Sequence, residues 1–175
     1  MRDLANPEHL DDLGRQVTEL PRRVPGVVAL DGVPLRYADL HSVYWQYRQI
    51  FLDRLYDVDL PALSSPPVII DAGAHVGLAA IFFGRRFPGA KLLCVEADPD
   101  IATLLRANLD AFGLASAKVE AKAAWTHDRG VSFAQSRDDS GHVAAGAPDV
   151  TTDTTLVRSL RLRDRILELG RVDLL

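Results

Sequence analysis

Two apolar runs, Val68-Ile69-Ile70 and Leu92-Leu93-Cys94-Val95, contain no polar alternation. A strand with one wet face alternates; a strand buried on both faces does not. Runs of this kind point to a parallel sheet covered by helices on both sides. The stretch between them, Val76 to Phe87, reads as the crossover helix, with Arg85-Arg86 at its negative end and Pro88-Gly89 as its stop. A second helix follows the second run. Asp98 is suited to its N-cap, Pro99 to its first turn and Gly113 to the position after its end. Ile101, Leu104, Leu105, Leu109 and Phe112 fall on one face of it, and Lys118 to Ala123 reads as a third strand.

The first 66 residues differ in character and read as an N-terminal helical and hairpin extension; residues 67–175 carry the strand–helix repeat. Val27 to Leu30 and Val33 to Leu35 flank Asp31-Gly32, a two-residue hairpin signal. Ser42 to Tyr56 reads as a helix whose Tyr44, Tyr47, Phe51 and Leu55 form a core-facing stripe. Pro61, Ser64-Ser65 and Pro66-Pro67 form the connector. Beyond the third strand, Val131 to Ala134 and His142 to Ala144 suggest an antiparallel pair around a turn at Asp138 to Gly141. Ile166-Leu167 and Leu169 read as helical up to Gly170, and Val172 to Leu175 as the opening of another buried strand.

Composition excludes several classes of function. Lys and Arg total 20 against 24 Asp and Glu, with no basic block, so phosphate-led nucleic-acid binding and an anionic membrane surface are not expected. The first residues lack the apolar core of a signal peptide, and the longest apolar stretch is far short of the ~20 residues that span a bilayer. A cytoplasmic protein is the expectation. The lone Cys94 excludes an intrachain disulfide and reads as a small buried hydrophobe. His9, His41, His127 and His142 share no metal-ligand spacing, and no metal is expected. Arg158, Arg161, Arg163, Arg165 and Arg171 read as a solvated face.

The chemistry concentrates in Ile70-Asp71-Ala72-Gly73-Ala74-His75-Val76-Gly77, where the first buried strand turns into a helix. Carboxyl ends of parallel strands are where ligands bind. The next strand ends at Glu96, 25 residues after Asp71, and a carboxylate there can accept both hydroxyls of a ribose. The dinucleotide pattern G-x-G-x-x-G fails, because the places two and five after Gly73 hold His75 and Leu78. An acid two residues before the first glycine suits an ammonium better than a pyrophosphate. S-adenosylmethionine has an ammonium, a sulfonium and a ribose, and no phosphate. Plainer roles stand beside these: Asp71 as a helix cap, Glu96 paired with Lys91 or an arginine, His75 as a loop stabiliser rather than a base, and Asn108 as a tie between backbone segments.

Val68 to Gly77, Val95-Glu96-Ala97-Asp98-Pro99 and Leu104-Leu105-Arg106-Ala107-Asn108-Leu109 together resemble the FkbM-type S-adenosylmethionine-dependent methyltransferases. The resemblance spans about residues 35 to 125 and implies a Rossmann-like, doubly wound, mainly parallel α/β sheet. It implies Asp71, Gly73, Ala74, His75 and Gly77 in the cofactor loop, Glu96 on the ribose, Ala97 and Asp98 beside the adenine and Ala124 on its other face. His75 departs from the family, which usually has Asn there. The implied activity is methylation of a hydroxyl on a sugar or polyketide-like small molecule. No residue is assigned as its base.

Arg171 to Leu175 matches the start of the family's next strand, but the Lys-x-Asp-x-Glu-Gly segment that follows in the family is absent from this sequence. The expectation is a sheet incomplete on that side. With it come two alternatives to turnover by these 175 residues: a non-catalytic cofactor-binding fragment, and pairing of two copies through the uncovered edge. A nicotinamide-dependent oxidoreductase is the remaining reading, disfavoured by the failed glycine pattern.

Overall fold

The computed structural model describes residues 6–60, 65–136, 140–143 and 154–175. Pro61, Ser64, Asp138, Asp139 and Ala144, named above, lie outside the described residues. Helix α1 (Pro7–Glu19) starts under an Asn6 cap whose Oδ1 accepts the Glu8 amide at 3.0 Å. Strands β1 (Gly26–Leu30) and β2 (Val33–Tyr37) pair antiparallel with Leu30 opposite Val33. The two turn residues between them, Asp31 at φ 53° and Gly32 at φ 76°, are both left-handed, as the tightest hairpin turn requires.

Helix α2 (Leu40–Tyr47) begins two residues earlier than its apolar stripe suggests, because Asp39 caps it: the carboxylate accepts the Ser42 amide at 3.0 Å. It also ends earlier. From Arg48 to Leu52 the chain winds as a wider π-type turn, closed by the Asp53 amide donating to the Arg48 carbonyl at 2.8 Å. Tyr47 and Phe51 are buried and stacked, but Leu55, beyond the turn, is exposed. The expected helix to Tyr56 is therefore corrected to a helix and a turn.

The parallel sheet has the order β3 (Val68–Ala72), β4 (Lys91–Glu96), β5 (Lys118–Ala121). Ile70 lies opposite Leu93, and Glu96 opposite Ala121. Crossovers are α3 (Leu78–Arg86) and α4 (Pro99–Ala111); Asp98 caps α4 through the Asp100 and Ile101 amides. The third strand is broken rather than continuous. Lys122 leaves the β5 line, and β6 (Ala123–Trp125) pairs instead with β10 (Ser159–Arg161). Strand β7 (Val131–Ala134) lies antiparallel between β8 (His142–Val143) and β9 (Thr154–Val157). Helix α5 (Leu162–Leu169) ends at Gly170, φ 69°.

One face of the sheet shares an apolar cluster with the N-terminal segments: Leu13, Leu35, Val43 and Phe51 join Ile69, Phe82, Leu105 and Leu109. Each such side chain, buried rather than exposed, contributes about 1.5–3 kcal/mol. Asn108 stitches the layers from within. Its Nδ2 donates to the carbonyls of Arg36 and Val76 at 2.9 Å each, and its Oδ1 accepts the Arg36 amide at 2.8 Å. The other face packs Ile70, Leu93, Val95 and Leu160 under α5. Cys94 is fully buried in the sheet, and burial first, then the Asp71 charge, pushes its thiol well up. At the far edge of β3 the Ile70 amide donates to the Leu174 carbonyl at 3.0 Å, and Asp173 bonds Val68 through its amide and its carboxylate. The edge expected to be poorly covered carries residues 173–174, where the opening of another strand was expected. Among the described residues no helix is long and apolar enough to cross a membrane.

Candidate functional site

The carboxyl ends of β3, β4 and β5 open on a cleft of about 390 Å³. Gly73, His75, Glu96, Ala97, Asp98 and Ala124 line it. Asp71, Ala74 and Gly77, expected in the same site, are not among its lining residues. Gly77, at φ 97°, fits where an added Cβ would come within 2.8 Å of Leu105, so it lets α3 start hard against α4. Gly73, at φ 94°, has open space where a Cβ would stand. Sequence reasoning missed Gln46, Lys122, Phe133, Ser136 and His142, which also line the cleft. Their elements reach it only through long-range pairing, for which one sequence carries no local signal.

The loop is held on itself and on β4. Gly73 and Ala74 donate their amides to the Val95 carbonyl at 2.8 and 3.0 Å, and Gly77 donates to Ala74 at 2.9 Å. The His75 amide donates to Glu96 Oε2 at 2.9 Å. Those four N–H groups are spent inside the protein. A diphosphate would need such groups aimed outward.

Glu96 is the pivot. Oε2 takes the His75 amide, and Oε1 takes the Asp98 amide at 2.8 Å. The Ala97 amide also favours the charged form, and a carboxylate has acceptor capacity beyond two such bonds. Burial pushes this carboxyl above its usual range, against the pull of those amides. The plainer alternative, an exposed Glu96 paired with Lys91 or an arginine, is not what forms: Glu96 is buried, and its partners among the described residues are backbone amides.

Asp71 does not cap α3, whose N-cap is Gly77 without a side-chain bond. Its Oδ2 is buried with no partner among the described residues. Burial, then repulsion from Glu96, lifts its carboxyl to about 6. His75 adopts φ 47° and is anchored by its side chain as well: Nδ1 and the Gln46 amide group lie 3.0 to 3.2 Å apart.

The residues present suit S-adenosylmethionine: a carboxylate faces the cleft, Gly73 leaves open space there, and Asp71 carries a buried oxygen with no partner among the described residues. Glu96 would hold the ribose diol, Gly73 and His75 would bound the amino-acid end, and Ala97 and Ala124 would flank the base.

No family model matches the chain. Over 63 residues it is 41% identical to methyltransferase sdnD of Sordaria araneosa, a match covering 36% of this chain and 24% of that protein. Over 54 residues it is 48% identical to the type II methyltransferase M.XamI of Xanthomonas campestris pv. amaranthicola, covering 31% of this chain and 10% of that one. Two curated relatives are methyltransferases by name. A third similarity, 29% over 114 residues, is to the AMB antimetabolite synthetase AmbE of Pseudomonas aeruginosa and covers 59% of this chain and 5% of that protein. The chain thus spans about a quarter or less of the length of these relatives. Among solved structures, a SAM-dependent methyltransferase from Agrobacterium tumefaciens aligns at 16% identity and TM-score 0.36, over 59% of this chain and 33% of that one. StiE O-MT aligns at 18% and 0.40, over 50% and 31%.

Proposed function

We propose that this chain forms the methyl-donor site of an S-adenosylmethionine-dependent methyltransferase of the FkbM type. The acceptor is a hydroxyl of a sugar or polyketide-like small molecule. The observation that carries the reading is Glu96: a buried carboxylate at the end of β4, holding one amide on each oxygen and facing the cleft. The sequence similarity to two methyltransferases supports it.

In this reading the protein supplies position and electrostatics, and the sulfonium supplies the reactive methyl group. Glu96 fixes the ribose through charge-assisted bonds. Asp71 favours a cationic ligand end from behind the loop. The amides spent on Val95, Ala74 and Glu96 leave the loop poorly equipped for a diphosphate, which disfavours the nicotinamide alternative.

Calorimetry with S-adenosylhomocysteine and with NADH tests the proposal. The wild-type chain is expected to bind the first and not the second. Glu96→Ala removes two charge-assisted bonds and weakens S-adenosylhomocysteine roughly tenfold or more. Equal binding by both proteins would remove Glu96 from the site, and retention of NADH alone would replace the reading with an oxidoreductase.

A further inference from the structure

The strand order fixes which end of the cleft takes which part of a nucleoside. Gly73 follows the end of β3, Glu96 ends β4, and Lys122 to Ala124 follow the end of β5. A ribose on Glu96 with its tail toward Gly73 therefore puts its base over the end of β5. The small antiparallel sheet of β7, β8 and β9 stands at that end. It packs Val131, Phe133 and Val157 on Ala123, with Ala97 and Val143 against the same cluster.

Two polar side chains from this wall, Ser136 and His142, line the cleft. Ser136 Oγ is buried and has no partner among the described residues. A buried hydroxyl in that condition calls for a partner. His142 is exposed, and β8 places it opposite Ala134. Its Nδ1 lies 3.2 Å from the Ser140 carbonyl oxygen. A carbonyl only accepts, so in the neutral ring Nδ1 carries the hydrogen and Nε2 is left as an acceptor. The neighbouring Lys122 can only donate, and its ammonium is held by Glu120 at 2.8 Å.

The wall thus offers a hydroxyl donor and an imidazole acceptor beside an apolar slot lined by Phe133 and Val143. The edge of adenine presents the complement: an exocyclic amine that donates and a ring nitrogen that accepts. We propose that Ser136 and His142 are the residues that read the adenine edge, selecting a 6-amino over a 6-oxo purine. His142 accepts from the 6-amine, and Ser136 donates to the adjacent ring nitrogen. This inference rests on the donor-site reading above.

The test compares S-adenosylhomocysteine with S-inosylhomocysteine, whose 6-oxo group replaces the amine, by calorimetry on the full chain. The wild type is expected to prefer the adenosyl compound by roughly tenfold or more, as a mismatched hydrogen-bond pair implies. His142→Ala brings the ratio near one by weakening the adenosyl compound alone. His142→Gln, which keeps a carbonyl acceptor, restores part of it, and Ser136→Ala lowers adenosyl affinity severalfold with Glu96 intact. Equal binding of both compounds by the wild type overturns the proposal. So does an equal loss for both compounds in His142→Ala, the mark of a structural role. Failure of the wild type to bind either compound overturns the donor-site reading itself.

Discussion

Two acids in this sheet have opposite surroundings. Glu120, on β5, is 7% exposed and sits among three cations: Lys118 at 3.0 Å, Lys122 at 2.8 Å and Arg165 at 2.9 Å. Burial pushes its carboxyl up, but hydrogen bonds from Lys122, Arg165 and Lys118 overrule that and hold it at about 2. Asp71, near the end of β3, has a buried oxygen and, among the described residues, no cation beside it, and its carboxyl rises to about 6. The satisfied acid belongs to the architecture: Arg165 ties α5 to the sheet through it. The unsatisfied one costs stability and persists beside the loop that bounds the cleft. A perturbed acid without a partner, at the strand ends of a parallel sheet, is the better sign of a ligand.

The largest expected effect comes from breaking the satisfied side. Glu120→Ala leaves three cations facing one another around an apolar gap. The expected loss is about 3 kcal/mol, the low end for removing one partner of a buried cluster, because Lys118 is largely exposed. Urea unfolding at neutral pH measures it. The pH dependence has a definite sign. The carboxyl is depressed when folded, so its contribution is complete above about 4.5 and is lost as pH falls toward about 2. The variant should therefore lose its deficit in acid. A deficit independent of pH would show that packing, not the ion cluster, carries the effect.

The unsatisfied side predicts the reverse. Asp71 holds its proton to about 6 in the fold but releases it near 3.8 when unfolded, so the folded state loses stability as pH rises across that window. Asp71→Asn removes the penalty. It is expected to be more stable than wild type at pH 7 by up to about 3 kcal/mol, with the difference vanishing below about pH 4. The same variant should bind S-adenosylhomocysteine more weakly, since the charge that the ligand's ammonium would meet is gone. Unfolding curves at pH 4 and pH 7 decide the first part. A variant less stable at pH 7 would mean that Asp71 has a partner in solution.

The contrast between these acids was only half legible in the sequence. Asp71 and Glu96 announce themselves, because two unbroken apolar runs end on them and nothing else polar stands there. Glu120 does not. It lies in a stretch that reads as one strand to Ala123, whereas Lys122 breaks the line and sends β6 to pair with β10. Arg165, read as solvated, crosses 45 residues to reach Glu120. The same limit hid the wall of the cleft. Local pattern locates strands, capping residues and the Asp31-Gly32 turn, each determined by a few neighbours. It says nothing of which strand β7 will take as partners, and so nothing of where Ser136 and His142 will lie. Gln46 was hidden differently: it stands on α2 but off the aromatic stripe, and the helical pattern does not say that this side of the helix meets His75.

The smallest expected effect concerns the residue that joins the two carboxyl-bearing strands. His75 holds φ 47°, a left-handed conformation that β-branched side chains resist and that Asn adopts readily. Its amide fixes Glu96, so strain here reaches the ribose site before it reaches the core. His75→Asn should leave stability within about 0.5 kcal/mol of wild type, since a permitted backbone offsets the lost contact with Gln46. His75→Val should cost about 1–2 kcal/mol and weaken S-adenosylhomocysteine further than Asn does. Thermal unfolding and calorimetry on the pair separate the two effects. If Val and Asn prove equal in both measurements, the loop conformation is not what holds Glu96 in place, and the cleft end of the sheet owes its shape to the Gly73 and Ala74 bonds to Val95.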